Sequence, residues 1–112
     1  MLVELPNDSD GNALRSLIAN GSDLSKEMEV EFMIDVPDRD SGLSFAAIVA
    51  HLGFQTSVEM GDKSKRWTCY CSRIMVATYE SITEIQKTFE ELGGPYNAKP
   101  DGWGTFGNSP KH

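Results

Sequence analysis

Residues 27–36 alternate almost without interruption. Met28, Val30, Phe32, Ile34 and Val36 are apolar, and Glu27, Glu29, Glu31 and Asp35 stand between them; Met33 is the one departure. A strand turns successive side chains to opposite faces, so this stretch needs a sheet with one face packed and the other in water. Pro37 ends the run, because proline has no N–H to give the ladder.

The flanking segments show what covers the packed face. Pro6-Asn7-Asp8-Ser9-Asp10-Gly11 reads as a turn feeding a helix over 9–19, with Asp8 and Asp10 as capping candidates. Ala13, Leu14, Leu17 and Ile18 form its stripe, and Asn20-Gly21 closes it. After Pro37, Asp38 or Ser41 can cap a second helix. Its apolar positions are Phe45, Ile48, Val49 and Leu52, with Gly53 at C′. Period two returns at 54–60, Gly61-Asp62-Lys63-Ser64 makes a polar turn, and a strand follows from Arg66 to Ile74, which together form a hairpin. A third helix opens at Ser81, with Glu84 three residues on as a capping box. Its stripe is Ile82, Ile85, Phe89 and Leu92, and Gly93-Gly94-Pro95 stops it. Asp101 to Phe106 suits a short last strand with Trp103 and Thr105 on one face. Asn108 to His112 is expected to fray.

The order is α followed by βαββαβ, the split arrangement of ferredoxin-like sandwiches. The expected fold is α+β: a four-stranded antiparallel sheet in the order 4-1-3-2, helices on one face, and strand 27–36 central. The expected core joins the five apolar residues of that strand to Phe45, Ile48, Leu52, Ile85, Phe89 and Leu92. At 112 residues, the chain is read as one domain over 1–112, ordered over about 6–107. The docking of the first helix is not set by pattern alone.

Charge narrows the function. Ten Lys and Arg stand against 17 Asp and Glu, for a net charge of −7. Non-specific nucleic-acid affinity comes mainly from Lys and Arg displacing counterions, so direct RNA or DNA binding is disfavoured. An acidic globule suits a basic protein segment instead. RNA-recognition folds of this topology stack bases on exposed sheet aromatics. Here Tyr70 could stack, but the first strand surrounds it with carboxylates. No apolar run approaches the ~20 residues of a membrane span. Residues 1–6 lack the basic and apolar regions of an export signal, which leaves the cytoplasm as the expected compartment.

Catalytic and metal chemistry find little support. Cys69 and Cys71 share one face of a strand and read as small core side chains, since zinc needs about four ligands and only His51 and His112 could join them. His51 near a helix end complements the dipole. There is no nucleophile elbow, phosphate loop or dinucleotide fingerprint. The strand carboxylates form a solvated row, without the contrasting environments that catalytic pairs need. The chain is expected not to be an enzyme and to need no cofactor or metal.

The string Asp101-Gly102-Trp103-Gly104 is the most unusual in the sequence, a bulky aromatic between two glycines. Asp101-Gly102-Trp103-Gly104-Thr105-Phe106 resembles the D-G-W-G-[TC]-[FY] ending of the regulator of ribonuclease E activity B (RraB) family. Pro6 to Gly11, Leu14 and Gly21-Ser22-Asp23-Leu24 resemble its opening, so the likeness spans about residues 6–107. The resemblance implies a ferredoxin-like sandwich in the bacterial cytoplasm. It also implies a protein inhibitor of ribonuclease E that acts through that enzyme's non-catalytic C-terminal region. The well-studied branch carries a long acidic extension after D-G-W-G, where this sequence has only the six residues Gly107 to His112 after Phe106. The family supplies no catalytic residues.

Two functional expectations follow. The first is a protein-binding regulator of RNA turnover. Glu27, Glu29, Glu31 and Asp35 steer a basic partner, and Asp101 and Trp103 make the compact contact. The second is a small-molecule module around the glycine-flanked tryptophan and the 7–11 loop, with Asn7, Asp8, Asp10, Gly102 and Gly104 as its weaker candidates. A family member with an unrelated protein partner fits the same residues.

Overall fold

The strands assemble in the order β2-β3-β1-β4, antiparallel throughout. A computed structural model describes residues 5–61 and 66–108. Its elements are α1 (Ser9–Ala19), β1 (Glu27–Val36), α2 (Arg39–Ala50), β2 (Gln55–Met60), β3 (Trp67–Val76), α3 (Tyr79–Gly93), a 3-10 turn at Gly94–Tyr96, and β4 (Lys99–Gly104). The expected ferredoxin-like sandwich is the one observed. Residues 1–4, 62–65 and 109–112 lie outside the described residues, and with them most of the export-signal, turn-tip and terminal-fraying expectations.

The caps explain the helix boundaries. Asp8 Oδ1 accepts from the Gly11 N–H at 2.8 Å, and Asp38 Oδ1 accepts from the Ser41 N–H at 2.7 Å. Asp10 lies in the first turn of α1 rather than at its cap. The end of α1 is a Schellman motif: Ser22 N–H donates to Leu17 O at 2.9 Å and Gly21 N–H to Ile18 O at 3.0 Å. Two expected boundaries shift. The cap of α2 is His51, so Leu52 and Gly53 belong to the following turn. The cap of α3 is Thr78, not Ser81. Ser81 at N3 closes the box, with Ser81 Oγ accepting from Thr78 N–H and Thr78 Oγ1 from Ser81 N–H, both at 3.0 Å. A serine hydroxyl does there what the usual glutamate does, and Glu84 is left on the helix surface.

Burial along β1 follows the alternation, with Val30, Phe32, Ile34 and Val36 fully buried. They meet Leu14, Phe45, Val49, Ile82 and Phe89 from the helices. Gly42 seats α2, because a Cβ there would lie 2.8 Å from Val58 Cγ1 and 3.1 Å from Val36 Cγ2. Leu52 corrects the expected core: it is exposed, since the helix has ended before it. Ile48, Ile85 and Leu92 are half-buried rather than central. Asn108 corrects the expected fraying. Its Nδ2 donates to Asp23 O at 2.9 Å and Glu27 O at 3.2 Å, and its Oδ1 accepts from Asp23 N–H at 2.8 Å.

The Phe32 ring packs edge-on against Phe89 at 5.6 Å and Phe54 at 6.1 Å. Phe32→Ala is expected to lower unfolding free energy by about 3–5 kcal/mol, the cost of deleting a large core aromatic. Urea denaturation followed by circular dichroism measures it.

Candidate functional site

The face of the sheet opposite the helices is built from the other phase of each strand. Register sets its rows. Glu27 lies beside Val76, Glu29 beside Ile74, and Glu31 between Ser72 and Gly104. Met33 lies between Tyr70 and Gly102, and Asp35 between Thr68 and Lys99. Glu27, Glu29 and Glu31 are exposed and stand at steps of about 6.8 Å, two residues of extended chain. Asp35 differs in carrying a partner. Arg66 Nη2 lies 2.7 Å from Asp35 Oδ2 and Arg66 Nε 2.9 Å from Oδ1, and this contact raises the guanidinium pKa above its already high value.

Apolar side chains border the carboxylates. Ile74 is 64% exposed and Phe106 is 97% exposed. Glu29, Glu31, Met33, Ser72, Gly104 and Phe106 line a shallow depression of about 310 Å³. No side chain rises from β4 beside Glu31, since Gly104 occupies that place. These apolar members were not legible in the sequence. Residues 74–77 are all apolar, so the run carries no phase to say that Ile74 and Val76 face outward while Met75 is buried.

Trp103 belongs to the opposite side of the sheet. Its Nε1–H donates to Asp10 Oδ1 at 2.9 Å, and Gln86 Nε2 donates to Asp10 Oδ2 at 3.0 Å. Tyr79 Oη donates to Asp8 Oδ2 at 2.6 Å. These bonds fix α1 against α3 and β4. The structure therefore separates Trp103 from the glutamate column. Asp101 is the exposed extra residue of a bulge, since Pro100 pairs with Ile34 and Gly102 with Met33. Gly102, at φ 133, takes a conformation that L side chains rarely adopt. Asn7 is exposed. Both carboxylates of the 7–11 loop are taken up as internal acceptors, which leaves that loop little polar capacity for a ligand.

Cys69 and Cys71 are fully buried with their Sγ atoms 3.7 Å apart. The hydrogen bond with Cys69, together with burial, pushes the Cys71 thiol far up. Among the described residues no group of three or more His, Cys, Asp or Glu could hold a metal ion, and no helix is long and apolar enough to cross a membrane.

A family model described as RraB, regulator of ribonuclease activity B, matches residues 7–105. The chain belongs to this family. The match covers every element from the turn before α1 to the residue after β4. No curated protein matches the chain. As an RraB family member, the chain sits among regulators of ribonuclease activity, and the D-G-W-G string that suggested the family is where its β4 bulge and the Trp103–Asp10 bond meet.

The docking of α1 gives two expected outcomes. Trp103→Phe keeps an aromatic side chain, smaller than the indole, and removes the donor to Asp10, at a cost on the order of 1–2 kcal/mol for a partly exposed bond to a charged acceptor. Hydrogen exchange in α1 should then quicken more than in β1. The second concerns acid. The Tyr79 hydroxyl first, and then the Gly11 N–H, hold the Asp8 carboxyl below its ordinary 3.8. A depressed carboxyl contributes stability that is complete above its unfolded pKa and is lost as pH falls through the folded one. Asp8→Asn should therefore remove part of the acid-side loss of stability below about pH 4, read as the difference between the two unfolding profiles.

Proposed function

We propose that this chain is a non-catalytic regulator that binds a ribonuclease through the open face of its sheet. The resemblance of its ends to the ribonuclease E inhibitors makes the C-terminal region of ribonuclease E the leading partner. The observation that carries this reading is the column of Glu27, Glu29 and Glu31, bordered by exposed Ile74 and Phe106. RNA-handling segments are rich in Arg and Lys because phosphate binding needs them. Such a segment finds complementary charge on this face, and apolar side chains between its cations find Ile74 and Phe106. A protein of net charge −7 also repels the RNA that competes for the same segment.

Purified chain and ribonuclease, or its C-terminal region, test this by surface-plasmon kinetics and an RNA-decay assay. Binding is expected to weaken as salt rises toward about 0.15 M, where the Debye length shrinks to about 8 Å. The double variant Glu29→Lys with Glu31→Lys should slow association more than it speeds dissociation, because exposed charges act chiefly on encounter. Its stability should change by about 0.5 kcal/mol or less. Phe106→Ala should act on dissociation instead. Affinity indifferent to both salt and charge reversal would show that the column is only solvated.

A further inference from the structure

A second concavity lies on the helix side of the sheet, away from the glutamate column. Leu52, Phe54, Arg73, Glu84, Ile85 and Phe89 line a groove of about 330 Å³ between the turn after α2 and the surface of α3. Its size falls at the lower end of small-molecule sites, about 300–1,000 Å³. The floor is apolar, with Phe54 and Phe89 buried and their rings 5.0 Å apart. Two opposite charges line it. Arg73 pairs in register with buried Val30, which brings a cation to the packed side of the sheet. Its guanidinium lies 4.4 Å above the Phe54 ring, and Nη1 donates to Leu52 O at 3.3 Å. Glu84 lines the same groove, because Thr78 and Ser81 cap the helix without it. Among the described residues, neither Arg73 nor Glu84 is in an ion pair.

We infer that this groove binds a free α-amino acid with an apolar side chain. A guanidinium held in one orientation presents a fork of donors suited to a carboxylate. A lone carboxylate ligand would meet Glu84 as a like charge, and a lone amine would meet Arg73 as one. A zwitterion satisfies both, with its carboxylate on Arg73 and its ammonium on Glu84, and its side chain lies against Leu52 and Ile85, above the buried rings of Phe54 and Phe89. The guanidinium is held in place by the ring and the carbonyl, so little order has to be imposed on binding.

The test is NMR titration of the full chain with L-leucine and L-phenylalanine at millimolar concentration. Saturable shifts are expected at residues 52–54, 73 and 84–89. N-acetyl-L-leucine lacks the ammonium and L-leucinamide lacks the carboxylate, and each should bind about tenfold more weakly or worse. Arg73→Gln and Glu84→Gln should each weaken L-leucine binding to the same degree. If Arg73→Gln loses its fold along with the Phe54 contact, Glu84→Gln on the exposed helix surface and the two blocked ligands decide the matter. Glu29→Lys with Glu31→Lys should bind L-leucine as the parent chain does, which separates this site from the sheet face. No saturable shift at the groove overturns the inference, as do blocked ligands that bind as tightly as the free amino acid.

Discussion

Phe32 stands at the middle of the central strand, and its ring meets Phe54 and Phe89 edge-on while Phe89 in turn meets Phe45 at 5.8 Å. Edge-to-face contacts join the positive rim of one ring to the negative face of another, so they fix angle as well as distance. Through these four rings the central strand, α2, α3 and the residue that leads into β2 are held to one geometry. With the packed face fixed this firmly, the opposite face of β1 is released from any packing duty. It can carry Glu27, Glu29 and Glu31 in a row, a density of like charge that only water, salt or a cationic partner tolerates.

Asp10 has the corresponding place for the N-terminal helix. One carboxylate joins three elements, because its two oxygens accept from Trp103 on β4 and Gln86 on α3 while its backbone belongs to α1. The glycines beside Trp103 acquire their meaning from that bond. Trp103 faces the helices, and Gly102 and Gly104 lie in register with Met33 and Glu31 on the other side. One four-residue string thus anchors a helix on the packed face and keeps the open face low.

The sheet order, the central strand and the caps at Asp8 and Asp38 were legible because each rests on a local pattern with a physical cause: period two, a missing N–H, a carboxylate three residues before an amide. Leu52 was misassigned because its spacing continues a helix that has already ended. The start of α3 was placed late because a serine does the work that the usual signature gives to a glutamate. The glutamate column was visible in the sequence as a set, but its neighbours were not. Ile74 lies in an unbroken apolar run, and Phe106 lies beyond the last strand, where no period operates. Arg73 was illegible for a different reason. A cation on the packed phase of a strand contradicts the alternation, and only the Phe54 ring beneath it reconciles the two.

β4 pairs with β1 only over Glu31 to Asp35, which leaves the first half of the longer strand with a bare flank. Thr105 Oγ1 donates to Glu29 O and Asn108 Nδ2 to Glu27 O along that flank. Two side chains of the loop after β4 thereby stand in for the ladder that a longer β4 would make. An open strand edge is a template on which other chains can extend a sheet, and proteins suppress it by covering it. The covering here is made by the residues that follow D-G-W-G, so the segment just beyond that string occupies the acceptors on β1 that β4 leaves open.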